Sequence, residues 1–138
     1  MGDVIKKLPI RSGEDEKPRP MNCYFDTGSP YTFVKKSAAG KLKVIAPLST
    51  PRTFKGLGNG RFKVTHIVYL ELKLLGFWCS HYGYVIDDSV IDQDVLAGHD
   101  FMQKFNVGLD LRKKKLVLDR ASLKRAQTVR NIRKEQGA

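Results

Sequence analysis

A short apolar alternation through Val4, Ile5, Leu8 and Ile10 predicts a terminal or edge strand. The stretch that follows, RSGEDEKPRP, is charged and holds two prolines, so it predicts a loop. MNCYF at residues 21–25 predicts a strand, and Asp26 to Pro30 a turn. Gly28 there permits unusual backbone angles, and Ser-Pro blocks easy continuation of a ladder. Tyr31 to Val34, rich in aromatic and β-branched residues, predicts a strand again. Lys35 to Lys41 predicts a helical turn ending at Gly40. Leu42 to Leu48 predicts an extended segment, with Pro47 and Pro51 bracketing another turn.

FKGLGNGRF, residues 54–62, has the form of a glycine-rich hairpin tip, with Asn-Gly as its turn signal. Its second arm runs from Lys63 to Leu75, and Gly76 breaks the pattern. Phe77 to Ile86 predicts a strand that ends in the acidic loop DDSVIDQD. Val95-Leu96-Ala97-Gly98 predicts a short strand, and His99 to Phe105 a short helix stopped near Asn106. Val107 to Leu111 and Leu116 to Leu118 predict a hairpin around the basic turn Arg112-Lys113-Lys114-Lys115. The remainder suits a helix, with Ser122 as its cap and a weak stripe of Leu123, Ala126, Val129 and Ile132. The pattern as a whole predicts an all-β domain of short strands with one or two helices.

A length of 138 residues fits one domain, and 41% hydrophobic content supports a core. No apolar run reaches transmembrane length, and the N-terminal stretch has no secretory h-region. Cys23 and Cys79 lack a CxxC or nearby Cys/His ligand pattern, which predicts buried thiols and favours a reducing compartment. His66, His81 and His99 lack ligand spacing, so no metal is expected. The formal net charge is +11, and residues 112–138 hold ten lysines and arginines against Asp119 and Glu135. That leaves nucleic acid, an acidic surface or plain solvation open for the basic tail. Phe77, Trp78, Tyr82 and Tyr84 suit either packing or a stacking platform for single strands. The acidic loop does not match an EF-hand, and GLGNG lacks the Gly-Lys-Ser/Thr ending of a phosphate loop.

The candidate chemistry lies in YFDTGSPYTFV, residues 24–34. Asp-Thr-Gly alone is ordinary turn composition. Here apolar strands flank it, a small residue follows Gly28, and Leu96-Ala97-Gly98 lies some way downstream. This arrangement resembles the active-site motif of retroviral-type, retropepsin-like aspartic proteases. Phe25-Asp26-Thr27-Gly28-Ser29 matches the catalytic motif and FKGLGNGRF the flap. Leu96-Ala97-Gly98 matches the second apolar pair with glycine, and His99-Asp100-Phe101-Met102 the start of the following helix. VGLDLRKKKLVLD resembles the hairpin after that helix.

The resemblance implies a single-lobe acid protease barrel with one short helix after the Leu-Ala-Gly strand and room for a C-terminal helix. It divides the chain into an N-terminal strand and charged loop (1–20), a protease domain (21–119) and a basic tail (120–138). One motif in a chain this short implies a homodimer, with Asp26 of each copy facing the other across a two-fold axis. Two adjacent carboxylates share one proton, which equips the pair to activate water and protonate the leaving amine without a cofactor. The implied substrate is an extended polypeptide.

The resemblance also implies roles for neighbours. Thr27 would lock the two loops across the dimer axis. Gly28 would permit close approach to substrate backbone. Ser29 would offer its hydroxyl to the outer oxygen of Asp26. Phe33, Leu96 and Ala97 would line subsites under a flap carrying Gly56, Leu57 and Gly58. Gly98 and His99 would brace the dimer or active-site loop. Two positions depart from the family pattern: Pro30 replaces a polar residue that binds substrate backbone, and His99 replaces an arginine. The alternatives are a retropepsin-like dimerisation or binding module with little proteolysis, and a basic nucleic-acid-binding module.

Overall fold

The structure is a computed structural model and describes residues 4–56 and 60–127. Alternation sets the strands. On β2 (Arg19–Phe25), Met21, Cys23 and Phe25 are buried while Arg19 and Asn22 are exposed. β5 (Arg61–Leu74) buries Val64, Val68, Leu70, Leu72 and Leu74 at every second position from Val68 onward. β6 (Phe77–Ile86) returns along it in register from Leu74↔Phe77 to Ile67↔Tyr84. The turn between them places Leu75 and Gly76 at φ 49° and 83°, the left-handed pair that a tight hairpin needs.

β1 (Val4–Arg11), β2, β7 (Val95–Ala97), β3 (Phe33–Lys35), β6 and β5 pair in that order. Ile10↔Leu72 and Arg11↔Glu71 join β1 back to β5. The result is a closed six-stranded mixed barrel with β4 (Ile45–Lys55) as an extra strand on β5. The β2–β7 and β3–β6 pairs are parallel. α1 (Lys36–Ala39) follows β3, and α2 (His99–Phe105) follows β7. α2 buries Phe101, Met102 and Phe105 against the barrel core, and Asn106 ends it at φ 53°. A hairpin of β8 (Gly108–Asp110) and β9 (Lys115–Val117) leads to a helical segment at residues 120–127. Leu123 of that segment is fully buried in the main core. No helix among the described residues is long and apolar enough to cross a membrane.

Several local expectations are corrected. Pro47 and Pro51 do not bracket a turn. Both lie in β4, which continues through a register shift between Pro47 and Arg52. An edge strand tolerates them because its outer side has no ladder bond to lose. Extension begins at Ile45 rather than Leu42, and β3 begins at Phe33 rather than Tyr31. The C-terminal segment is capped by Asp119, not Ser122: Asp119 Oδ1 accepts the Ala121 amide at 3.1 Å. Val129 and Ile132 of the expected stripe, and the rest of the tail beyond residue 127, lie outside the described residues.

Barrel closure is charged as well as apolar. Glu71 is 1% exposed and accepts the Arg11 Nε–H at 2.6 Å and the Tyr69 hydroxyl. The Arg11 guanidinium also lies 4.0 Å over the Trp78 ring. Removing one member of such a pair leaves a buried charge without compensation. Arg11→Met is expected to lower stability by about 3 kcal/mol, with Arg11→Met/Glu71→Met recovering most of it. Urea unfolding measures both, and an unshifted midpoint in the single variant would show that the pair contributes nothing.

Candidate active site

Three strands fix the candidate carboxylate. β7 runs parallel to β2, with Phe25 opposite Ala97, and antiparallel to β3, with Leu96 opposite Phe33. It therefore lies between the strand entering the Asp26 loop and the strand leaving it. The Asp26 amide makes the last bond of the first pair, donating to the Ala97 carbonyl at 3.0 Å. The chain then leaves the sheet. The Gly28 amide donates to Asp26 Oδ1 at 2.8 Å, and the Ser29 amide to the Asp26 carbonyl at 3.2 Å. This is the local bonding that favours aspartate in turns. A Cβ on Gly28 would stand 3.1 Å from Asp26 Oδ1, so a side chain there would press on the carboxylate.

A second close approach holds the far side of the loop. A Cβ on Gly98 would lie 2.1 Å from the Tyr31 carbonyl oxygen and 2.7 Å from that of Ser29. Only glycine fits. Its neighbours use the proximity: the His99 amide donates to Ser29 O at 2.7 Å and the Asp100 amide to Pro30 O at 3.3 Å. The Gly98 amide donates to Thr32 Oγ1 at 3.2 Å, and that hydroxyl donates to Asp100 Oδ1 at 2.7 Å. Asp100 Oδ2 accepts the Thr32 amide at 3.3 Å and meets His81 Nε2 at 3.0 Å. Burial pushes the Asp100 carboxyl up. Hydrogen bonds from His81 and Thr32, the charge on His81 and the Phe101 amide together outweigh that and hold it below its ordinary value.

A cavity of about 250 Å³ opens between this loop and the β4–β5 hairpin. Asp26, Gly28, Ser29 and Pro30 line one side, and Lys55 and Gly56 the other. Its apolar wall is a ring cluster. Phe33 meets Phe54 at 5.3 Å and Phe62 at 5.6 Å, both edge to face, and Tyr31 meets Phe54 at 5.4 Å. Phe54↔Phe62 and Lys55↔Arg61 close the hairpin, with Gly56 and Gly60 at φ 109° and 103°.

Asp26, Gly28, Ser29, Phe33 and Gly56 thus meet around one cavity. Thr27 is exposed on the same loop. Leu57 and Gly58 lie outside the described residues. Leu96 and Ala97 are 3% and 1% exposed and pack beneath the loop, apart from the cavity lining. The expected Ser29 bond to Asp26 is corrected: Ser29 Oγ donates to the Tyr31 carbonyl at 2.7 Å. Gly98 is buried while the His99 side chain is exposed, and within the protomer the side-chain brace comes from Asp100. Sequence reasoning missed Asp100, Thr32 and His81. The available signal was an acidic residue in the first turn of the short helix, next to the apolar pair Phe101-Met102.

Other candidate groups have structural partners. Cys23 and Cys79 are free and buried, and burial raises both thiols, Cys79 to about 12. Asp88 accepts the Ser37 amide at 2.9 Å, bonding into the first turn of α1, and Asp94 accepts that of Asn22 at 2.9 Å. Among the described residues no three His, Cys, Asp or Glu side chains form a group suited to a metal. In the aromatic strand, Tyr84 joins the cavity cluster and Trp78 stacks with Arg11, while Tyr82 is 59% exposed.

No family model matches the sequence, and no curated protein does. The fold is similar to that of solved structures. One is the retroviral protease-like domain of Ddi1 from Leishmania major, with TM-score 0.57 and 18% identity, covering 85% of this chain and 90% of that one. Another is EIAV protease complexed with the inhibitor HBY-793, with TM-score 0.53 and 18% identity, covering 77% and 90%. The chain therefore has remote structural similarity to retropepsin-like protease domains, and at this identity the likeness is one of fold.

The Asp100 brace has a pH signature. A carboxyl held below its ordinary value stabilises the fold fully above its unfolded pKa of about 3.9, and loses that effect as pH falls through the folded value. Asp100→Ala is expected to lose about 2 kcal/mol at pH 7 by leaving Thr32 and His81 without an acceptor. The gap from wild type should narrow below pH ~4, where the unfolded carboxyl begins to protonate. Thermal unfolding across pH tests this, and a gap that stays constant down to pH ~2 would exclude ionisation of Asp100 as its source.

Proposed function

We propose that the chain is an aspartic endopeptidase that works as a homodimer, with Asp26 of each protomer forming one catalytic pair. The observation that carries this reading is a single half-buried carboxylate on an exposed Thr27-Gly28 loop, beside a cavity with an aromatic wall. The likeness in fold to retropepsin-like protease domains supports it.

The chemistry follows from the pairing. Two carboxylates in contact do not both ionise, so the pair holds one proton and titrates as a unit. The ionised member accepts a proton from water, whose oxygen attacks the scissile carbonyl carbon. The protonated member hydrogen-bonds to the carbonyl oxygen and stabilises the tetrahedral gem-diol. Collapse of that intermediate breaks the C–N bond as the pair returns a proton to the leaving nitrogen. The substrate lies extended between the Asp26 loop and the β4–β5 hairpin, which excludes water when it closes. Phe33 and its ring neighbours take an apolar side chain, and Thr27 joins the two loops across the axis.

Digestion of a peptide library across pH, with oligomeric state measured alongside, tests the reading. Asp26→Asn should lower cleavage by about 10³-fold or more while fold and dimer persist. Activity should fall on both sides of an acidic to near-neutral optimum. A monomer that cleaves peptides, or an Asp26→Asn variant that cleaves normally, refutes the shared pair.

A further inference from the structure

From Thr27 to Leu70 the chain contains no Asp or Glu but eight lysines and arginines. Four of these, Arg52, Lys55, Arg61 and Lys63, are exposed on the β4–β5 hairpin that roofs the Asp26 cavity. Arg52 stands apart from a solvated charge. It lies two residues before Phe54 on β4, and so on the same face. Its guanidinium is 5.3 Å from the Tyr31 ring, 4.9 Å from Phe54 and 5.1 Å from Tyr84, and it donates to the Tyr84 hydroxyl. Tyr31 and Phe54 are themselves walls of the cavity. Among the described residues, no carboxylate pairs with Arg52.

We propose that Arg52 is a specificity-determining residue that selects peptides carrying an acidic side chain close to an apolar one. The acid pairs with the Arg52 guanidinium while the apolar group enters the pocket of Phe33, Phe54 and Phe62. The proposal rests on reading the cavity as a peptide cleft. The rings already restrict the guanidinium, so binding a carboxylate costs less side-chain freedom than at a mobile arginine. Donors beyond the one used on Tyr84 remain for a charge-assisted bond. Lys55 on the cavity wall adds to the positive potential, and the one acid on the hairpin, Glu71, is buried against Arg11 and does not compete. A nucleic-acid backbone fits less well, because its phosphates would face the Asp26 carboxylate across the cavity, whereas a peptide backbone is neutral. Arg52 is exposed, so the effect of the pair weakens with salt.

Binding separates this proposal from proteolysis. Neutral octapeptides centred on Leu-Phe, with one flanking Gln at a time exchanged for Glu, are titrated against the Asp26→Asn protein by fluorescence anisotropy at low salt. The best Glu peptide should bind about fivefold to tenfold tighter than its Gln counterpart. In Asp26→Asn/Arg52→Gln the preference should fall below about twofold, while Arg52→Lys retains part of it. Thermal unfolding checks that both variants fold. Equal binding of Glu and Gln peptides, a preference that survives Arg52→Gln, or no binding of any peptide overturns the proposal. Cleavage by the unsubstituted protein without Glu preference refutes the role of Arg52 and leaves the peptidase standing. Glu-selective binding lost in Arg52→Gln, without any cleavage, supports Arg52 and refutes the peptidase.

Discussion

The approach of Gly98 to the Ser29–Tyr31 backbone is the contact on which the site depends. No side chain fits there, since a Cβ would fall 2.1 Å from a carbonyl oxygen. Because the two segments touch backbone to backbone, their amides and carbonyls satisfy one another directly. The Asp26 amide reaches Ala97, the His99 amide reaches Ser29 and the Asp100 amide reaches Pro30. Thr32 and Asp100 then fill the remaining donors and acceptors around Gly98. A polar network of this kind, satisfied on all sides, tolerates few alternative arrangements. It orients the Asp26 loop more narrowly than apolar packing would.

The two core clusters divide the work of holding that loop. The larger fills the barrel and takes in Phe101, Met102 and Phe105 of α2, which anchors the Asp100 side of the network. The smaller gathers Phe33, Val64, Ile86 and Leu96 beneath the β4–β5 hairpin, with Phe54, Phe62 and Tyr84 packed against it. Phe33 belongs to this second cluster and also to the cavity wall. The floor of the cavity is therefore core, continuous with the strands beside Asp26. Its roof is an edge hairpin whose outer strand is mostly exposed. Rigid floor and lightly packed roof follow from the topology, because β4 pairs with β5 alone while every barrel strand has at least two neighbours.

Much of this was legible in the sequence wherever a local rule and the tertiary environment agreed. Phe77–Ile86 and His99–Phe105 form as the pattern predicts, and in the helix Phe101, Met102 and Phe105 share the face that the barrel buries. Asn106 stops α2 where the sequence placed its end, and it does so as a left-handed cap. The failures fall where distant partners override local signals. Pro47 and Pro51 read as turn residues, yet an edge strand accommodates both. The terminal strand expected around Val4, Ile5, Leu8 and Ile10 forms as β1, but its role was not legible: Arg11 and Glu71, sixty residues apart, close the barrel through it. Of the candidate site, the motif identified Asp26, its turn and the glycines. The Asp100–Thr32–His81 brace was hidden because each member is unremarkable alone and gains meaning from a crossing that no spacing rule encodes.

The isolated protomer presents Asp26 in a form suited to completion by another group. The Gly28 amide donates to Oδ1 of its carboxylate, and Thr27 and Gly28 stand exposed beside it. A lone ionised carboxylate accepts protons but has none to donate, so it serves one half of amide hydrolysis. The loop that presents it is small and polar, with Thr27 and Gly28 at its crest and no bulky side chain to hold a second copy away. In the proposed dimer the two-fold axis brings each loop to its own image, and the proton shared by the pair exists only there. Catalytic competence and association then become a single equilibrium. Subunit concentration would set the fraction of working sites through mass action, and a substrate bridging both Asp26 loops would favour assembly of the site that cleaves it.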